Sequence, residues 1–175
     1  MSSPLPPRTV LVTGAARRLG RAFSLAFARA GWNVACHYQH SRDEALQTCA
    51  EVEALGRKAW AIAGNMADAA AQQAVFSQAV QAIGQWPDAI VNNASLFDYD
   101  ELSSFSYAQM ERHWRSNVGA PLLLARALHQ HLEGSGRQGC VINLLDQKLW
   151  NPNPDYLSYT LSKAALEAAN TLLAQ

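Results

Sequence analysis

The sequence predicts an α/β domain built on a doubly wound parallel sheet. Two observations carry that prediction: short β-branched or apolar runs alternate with longer segments of helical period, and glycines close the first two of those segments at Gly31 and Gly56. A third sets its size. The chain has 175 residues, 49% hydrophobic and 16% charged, which suits one folded core and not two. A chain of this length hides roughly 70% of its unfolded surface, so neither a disulfide nor a structural metal is required.

Thr9 to Val12 is a short β-branched strand that meets Gly14. Leu19, Ala22, Phe23, Ala26, Phe27 and Ala30 then recur at helical spacing up to Gly31. Asn33 to Tyr38 reads as the second strand, Asp43 to Leu55 as a helix, and Lys58 to Ala63 as the third strand. Asp68 suits the cap of a helix reaching about Ile83, and Asp88 to Val91 gives the fourth strand. Tyr107 to Leu132 is read as long and largely helical. Gly139 to Leu145 is the fifth strand, and Tyr156 to Leu173 an Ala/Leu-rich helix. Strands alternating with helices imply right-handed crossovers. A complete dinucleotide-binding sheet has six strands, so the five here read as a pattern cut off after its last helix.

The rest of the composition narrows the partners. Lys plus Arg number 14 and Asp plus Glu 14, so there is no basic excess to bind nucleic acid or an anionic membrane, and a small ligand is expected. Met1 to Pro7 is a Pro/Ser-rich stretch read as a flexible leader without a targeting pattern, leaving 8–175 as one cytoplasmic domain. The three cysteines, Cys36, Cys49 and Cys140, lack metal-ligand spacing and read as buried small side chains in a reducing compartment. His129 and His131 are two apart on a helix and point to different faces, which argues against a metal site.

Chemistry concentrates at the strand ends. Thr13-Gly14-Ala15-Ala16-Arg17-Arg18-Leu19-Gly20 joins the first strand to its helix, where backbone N–H groups and the helix dipole hold a pyrophosphate; a plain turn is the competing reading. The second strand ends in His37-Tyr38-Gln39-His40-Ser41-Arg42, without the leading acid that binds a ribose 2′-hydroxyl. Ser41, His40 and Arg42 suit a 2′-phosphate instead, which favours NADPH over NADH. Alternatively, Ser41 caps the following helix and Arg42 is solvated.

Asn92-Asn93-Ala94-Ser95 follows the fourth strand and Asp146 the fifth. Tyr159 and Lys163 form a Tyr-x-x-x-Lys pair on one helix face. A cation ~4 Å from the phenol contributes about 4 kcal/mol at an effective dielectric of ~20, enough to bring it towards neutrality as a proton donor. An ionised Asp146 only accepts hydrogen bonds, so it suits a substrate that presents N–H groups and repels a carbonyl oxygen.

Together these motifs resemble the short-chain dehydrogenase/reductase superfamily, with its Rossmann-type sheet. The resemblance implies cofactor contacts along Gly14, Arg18, Leu19 and Gly20, at Asn65 and Met66 after the third strand, and at Asn93, Ala94 and Ser95. It makes Tyr159 the proton donor, Lys163 the ribose ligand that lowers the phenol pKa, and Asn117 the holder of a relay water. Arg18, Ser95 and Asp146 stand where most members carry Gly, Gly and Ser. In these three the chain is similar to pteridine reductases, whose pocket also implies Phe97 and Tyr156 as substrate contacts; Trp150, in the adjoining loop, is read as a wall. The expectation is hydride transfer from NADPH to a pterin C=N in a homo-oligomer, a tetramer by resemblance. A ketone reductase and a non-catalytic NADP(H)-binding module are the alternatives.

Overall fold

The computed structural model describes residues 7–174, so most of the proposed leader lies outside the described residues. The strands are β1 (Thr9–Val12), β2 (Asn33–Tyr38), β3 (Ala59–Ala63), β4 (Ala89–Asn92) and β5 (Cys140–Asn143). All pair in parallel, in the order β3-β2-β1-β4-β5. The helices are α1 (Arg18–Arg29), α2 (Arg42–Ala54), α3 (Ala69–Ile83), α4 (Tyr107–Trp114), α5 (Ala120–Leu132) and α6 (Leu157–Leu173).

Alternation along the strands divides the core into two layers. Val10, Val12, Val34, Cys36 and Val91 face one way and pack with Leu25, Ala28, Cys49 and Val52 of α1 and α2. Leu11, Ala35, Ile62 and Ile90 face the other way, against Val75 and Phe76 of α3 and Leu124 and Leu128 of α5. Every residue of β1 and β4 is buried, as expected of central strands covered on both sides. Strand β1 pairs with β2 on one side and β4 on the other, so the chain direction across the sheet reverses between β1 and β4. Ligands of open α/β sheets bind outside the carboxyl ends of the strands at such a reversal.

Several expectations need correction. The stretch Tyr107–Leu132 is helical as expected, but a π-turn at Arg115–Gly119 divides it into α4 and α5. Pro121 explains the break: it has no N–H to donate to the carbonyl of Asn117 four residues back, so the ladder shifts. Tyr156 is not part of the last helix but its N-cap, in the left-handed region at φ 53. Strand β5 is shorter than expected and is half-exposed at the sheet edge, which leaves Cys140 exposed while Cys36 and Cys49 are buried. No described helix is long and apolar enough to cross a membrane.

Candidate active site

The turn after β1 is built around two glycines with different constraints. Gly14 has φ 63, where a side chain is strained, and a Cβ on Gly20 would lie 2.0 Å from the Gly14 carbonyl oxygen. Between them Arg18 adopts φ 49, a left-handed conformation that costs a non-glycine residue roughly 1–2 kcal/mol. Side chains from other strands hold the turn in place. Asn93 Nδ2 donates to the carbonyls of Thr13 (2.9 Å) and Gly14 (3.1 Å). The Thr13 hydroxyl accepts from the N–H groups of Asn93 and Ala94, both at 3.0 Å.

His37 supplies a further tie. Its Nδ1 accepts the Gly14 N–H at 3.1 Å, and its Nε2 lies 3.1 Å from the Gly64 carbonyl, so the ring bridges the turn to the end of β3. Burial pushes its pKa down to about 4, against the Gly64 hydrogen bond, which favours the protonated ring. The ring is therefore neutral at pH 7, with its proton on Nε2.

A cavity of about 770 Å³ starts at this turn and opens along the carboxyl ends of β1 and β4. Gly14, Arg18, Leu19 and Gly20 line one end, with Asn65 and Met66 beside them. Asn93, Ala94, Ser95 and Phe97 line its middle, and Asp146, Tyr159 and Lys163 its far end. Six predicted residues are not part of its wall, the buried Asn117 among them. His40 is exposed on the loop into α2, Arg42 is exposed as the first residue of that helix, and Ser41 occupies its N-cap position without making a side-chain cap bond. Tyr156 lies behind Phe97, its ring stacked on that of Phe97 at 4.2 Å and 5°. Trp150 is 70% exposed and lines no part of the cavity. Arg17, not singled out from sequence, does line it and pairs with Glu44 in the first turn of α2. That cation therefore sits where the loop carrying His40 and Ser41 leads into the helix.

At the far end the Tyr159 hydroxyl donates to Asp146 Oδ2 at 2.6 Å, and Asp146 Oδ1 accepts the Lys148 N–H at 2.9 Å. Asp146 is thus both a local cap and a partner of the phenol. Partial burial opposes its ionisation, but the Lys148 N–H, the Tyr159 hydroxyl and the charges of Lys163 and Lys148 outweigh that and hold it below the usual aspartate value. Tyr159 is shifted the other way from the sequence expectation. Burial, then the hydrogen bond to Asp146 and its charge, push the phenol above its ordinary value. Lys163 does not reverse this, because its ammonium is 5.7 Å from the ring centre and donates to the Leu144 carbonyl at 2.8 Å. Burial also lowers the Lys163 pKa, against the pull of Asp146.

Asn117, on the π-turn, joins two parts of the site. Its Oδ1 accepts from the Leu96 N–H (2.7 Å) and the Ser95 hydroxyl (3.1 Å), while its Nδ2 donates to the Leu96 carbonyl (3.0 Å) and Ser162 Oγ (2.9 Å). The side-chain amide thus ties the loop after β4 to α6. Among the described residues no three His, Cys, Asp or Glu side chains converge as a metal site.

Comparison with known proteins agrees with this geometry. L-rhamnose 1-dehydrogenase (NAD(P)(+)) of Sphingomonas sp. strain SKA58 is 33% identical over 138 residues, 79% of this chain and 54% of that protein. Hydroxynaphthalene reductase of Aspergillus fumigatus is 28% identical over 171 residues, 98% of this chain and 61% of that one. The chain therefore spans little more than half the length of these curated relatives. A crystal structure of FolM alternative dihydrofolate reductase 1 from Brucella suis in complex with NADP superposes with a TM-score of 0.89 at 34% identity, covering 96% of this chain and 69% of that one. The short chain dehydrogenase family model matches residues 8–175, and the chain belongs to that family.

Proposed function

We propose that the chain carries the cofactor-binding and proton-handling site of an NADPH-dependent reductase whose substrate is a pterin reduced at a ring C=N. The observation that carries the pterin reading is Asp146, an acceptor-only group at the position from which a hydroxyl would serve a carbonyl substrate. The similarity to the FolM alternative dihydrofolate reductase, crystallised with NADP, supports it from outside the chain.

The turn fits a dinucleotide. Gly14 and Gly20 leave a floor into which no Cβ projects, and α1 begins without a side-chain cap or an acid in its first turn, so its positive end is available to a pyrophosphate. When bound there, NADPH supplies the hydride. Arg18 and Arg17 are the cations of the phosphate end, and His40, Ser41 and Arg42 lie where the chain enters α2, whose Glu44 pairs with Arg17.

The remaining roles belong to side chains at the far end. Asp146 accepts an N–H from the substrate ring and orients it. Tyr159 holds, on its phenol oxygen, the proton that the reduced ring nitrogen takes up; its raised pKa suits a group that arrives protonated. Phe97 offers an exposed aromatic face, 53% accessible, against which a flat ring can lie. Lys163, anchored to Leu144, keeps a positive charge beside both. By family resemblance the working form is a homo-oligomer, which light scattering would test.

A second reading, reduction of a ketone, is favoured by the similarity to a 3-oxoacyl-[acyl-carrier-protein] reductase of Staphylococcus aureus, 31% identical over 164 residues. It requires the Tyr159 hydroxyl to leave Asp146 and donate to the substrate oxygen. The test is NADPH and NADH oxidation with dihydrobiopterin, dihydromonapterin, dihydrofolate and a set of ketones. Turnover of dihydropterins with NADPH is expected. Turnover of ketones alone would overturn the pterin assignment, and cofactor binding without turnover of either class would leave a binding module.

A further inference from the structure

Helix α6 starts under unfavourable conditions. Its N-cap residue, Tyr156, is in the left-handed region and provides no side-chain cap. The first N–H groups of a helix have no partner within it, and leaving them buried without one is costly. Here the partner comes from Asp100, far back in the sequence. The Leu157 N–H donates to the Asp100 carbonyl at 3.2 Å, and the Ser158 N–H to Asp100 Oδ1 at 3.0 Å. The Ser158 hydroxyl donates to the other carboxylate oxygen. Asp100 is 2% exposed and Ser158 fully buried, so water does not substitute for these bonds. A carboxylate also suits the positive end of a helix dipole.

Asp100 ends the short segment that begins at Phe97, and the segment alternates in character. Asp98 pairs with Arg112 at 2.9 Å, and its N–H donates to His113 Nε2 at 3.3 Å, both on α4. Phe97 and Tyr99 pack instead on the Tyr156 ring, face-on at 4.2 Å and edge-on at 5.3 Å. The substrate-facing aromatic and the start of the helix that bears Tyr159 are thus held by one segment.

We infer that Asp100 is a positioning residue: as a remote cap of α6 it sets where Tyr159 lies relative to Asp146 and to the ring of Phe97. The part of this inference that concerns catalysis rests on the role proposed for Tyr159.

The test compares D100A, D100N and S158A in the full chain without substrate. Amide hydrogen exchange is read at Leu157 and Ser158, and the Cζ resonance of Tyr159, assigned with Y159F, is followed in ¹³C-tyrosine-labelled protein across pH. In D100A those two amides are expected to exchange roughly tenfold faster, the scale of a lost cap. The Tyr159 resonance is expected to shift and titrate at lower pH as its bond to Asp146 loosens. D100N keeps an acceptor for the Ser158 N–H and should restore most of both signals, whereas S158A should give a partial effect. Wild-type exchange and an unmoved Tyr159 resonance in D100A would overturn the inference. If D100A loses its far-UV circular dichroism, D100N and S158A decide, and wild-type behaviour in S158A together with an unfolded D100N would reduce Asp100 to a general stability residue and overturn it. These readouts need no turnover, so failure of the wild-type chain to reduce any pterin or ketone would sink the proposed function and leave the cap unaffected.

Discussion

At the residue scale, the site pairs a phenol that keeps its proton with a carboxylate that stays ionised. Y159F removes that proton, and kcat/KM is expected to fall 10²- to 10⁴-fold on whichever substrate is turned over, with NADPH binding within a few-fold of wild type. A loss of cofactor binding of the same size would assign Tyr159 to binding instead. D146S exchanges an acceptor for a hydroxyl donor and should move preference from dihydropterins towards ketones; an unchanged ratio of kcat/KM values would show that Asp146 does not read the substrate. His37 yields a pH prediction. Its folded pKa lies near 4, below the ordinary 6.5, so the unfolded chain binds more protons in that window. The stability this residue confers is complete above about pH 6.5 and is lost as pH falls towards 4, with a slope of at most ~1.4 kcal/mol per pH unit. Urea unfolding of wild type and H37Q at several pH values measures it, and equal slopes would refute a buried neutral ring. Tyr159, Lys163 and Asp146, singled out by motif and resemblance, line one cavity because each stands at a strand end or on one helix face. Sequence spacing could not find His37 or Asp100, whose partners Gly64 and Ser158 are brought near only by the finished fold.

At the scale of elements, the sheet was legible and the irregular turns were not. Strands such as Asn33–Tyr38 are apolar or β-branched runs with clear ends, and Asp68 caps α3 by accepting the Ala71 N–H as its position suggested. The π-turn at Arg115–Gly119 leaves hydrophobic period almost unchanged, and its one signal was Pro121. The left-handed Tyr156 was not signalled by its own residue type, since Gly, Asn and Asp are the usual occupants of that region, and its cap comes from Asp100. Junctions between elements are consequently more sensitive than the elements. G20A places a methyl carbon 2.0 Å from the Gly14 oxygen and forces α1 away from the turn. A cost of ~1–3 kcal/mol in thermal or urea unfolding is expected, together with loss of NADPH fluorescence quenching. Retention of both would mean that the turn relaxes around the added carbon.

At the scale of the whole molecule, charge balance governs behaviour in solution. With a formal net charge of zero and a pI near 7.0, the chain has no mutual repulsion at neutral pH. Solubility is expected to pass through a minimum close to pH 7 and rise on both sides, as turbidity at fixed concentration would show; a flat profile would point to association of another origin. Edge strand β5, with Ile142 39% exposed, adds to this tendency. The strand order also bears on how the chain matures during synthesis. β1, β2 and β3 come from the first part of the chain and can pair early, but β1 is central and its other side belongs to β4. Until β4 has left the ribosome, a strand that is fully buried in the finished sheet keeps one edge unpaired, and the turn at Gly14 lacks Asn93, its partner from the far side. Such long-range parallel pairing forms slowly and exposes sticky edges meanwhile. A nascent chain stalled before Ala89 should therefore be a chaperone client that cannot retain nucleotide, and competence should appear abruptly once the loop after Asn92 emerges.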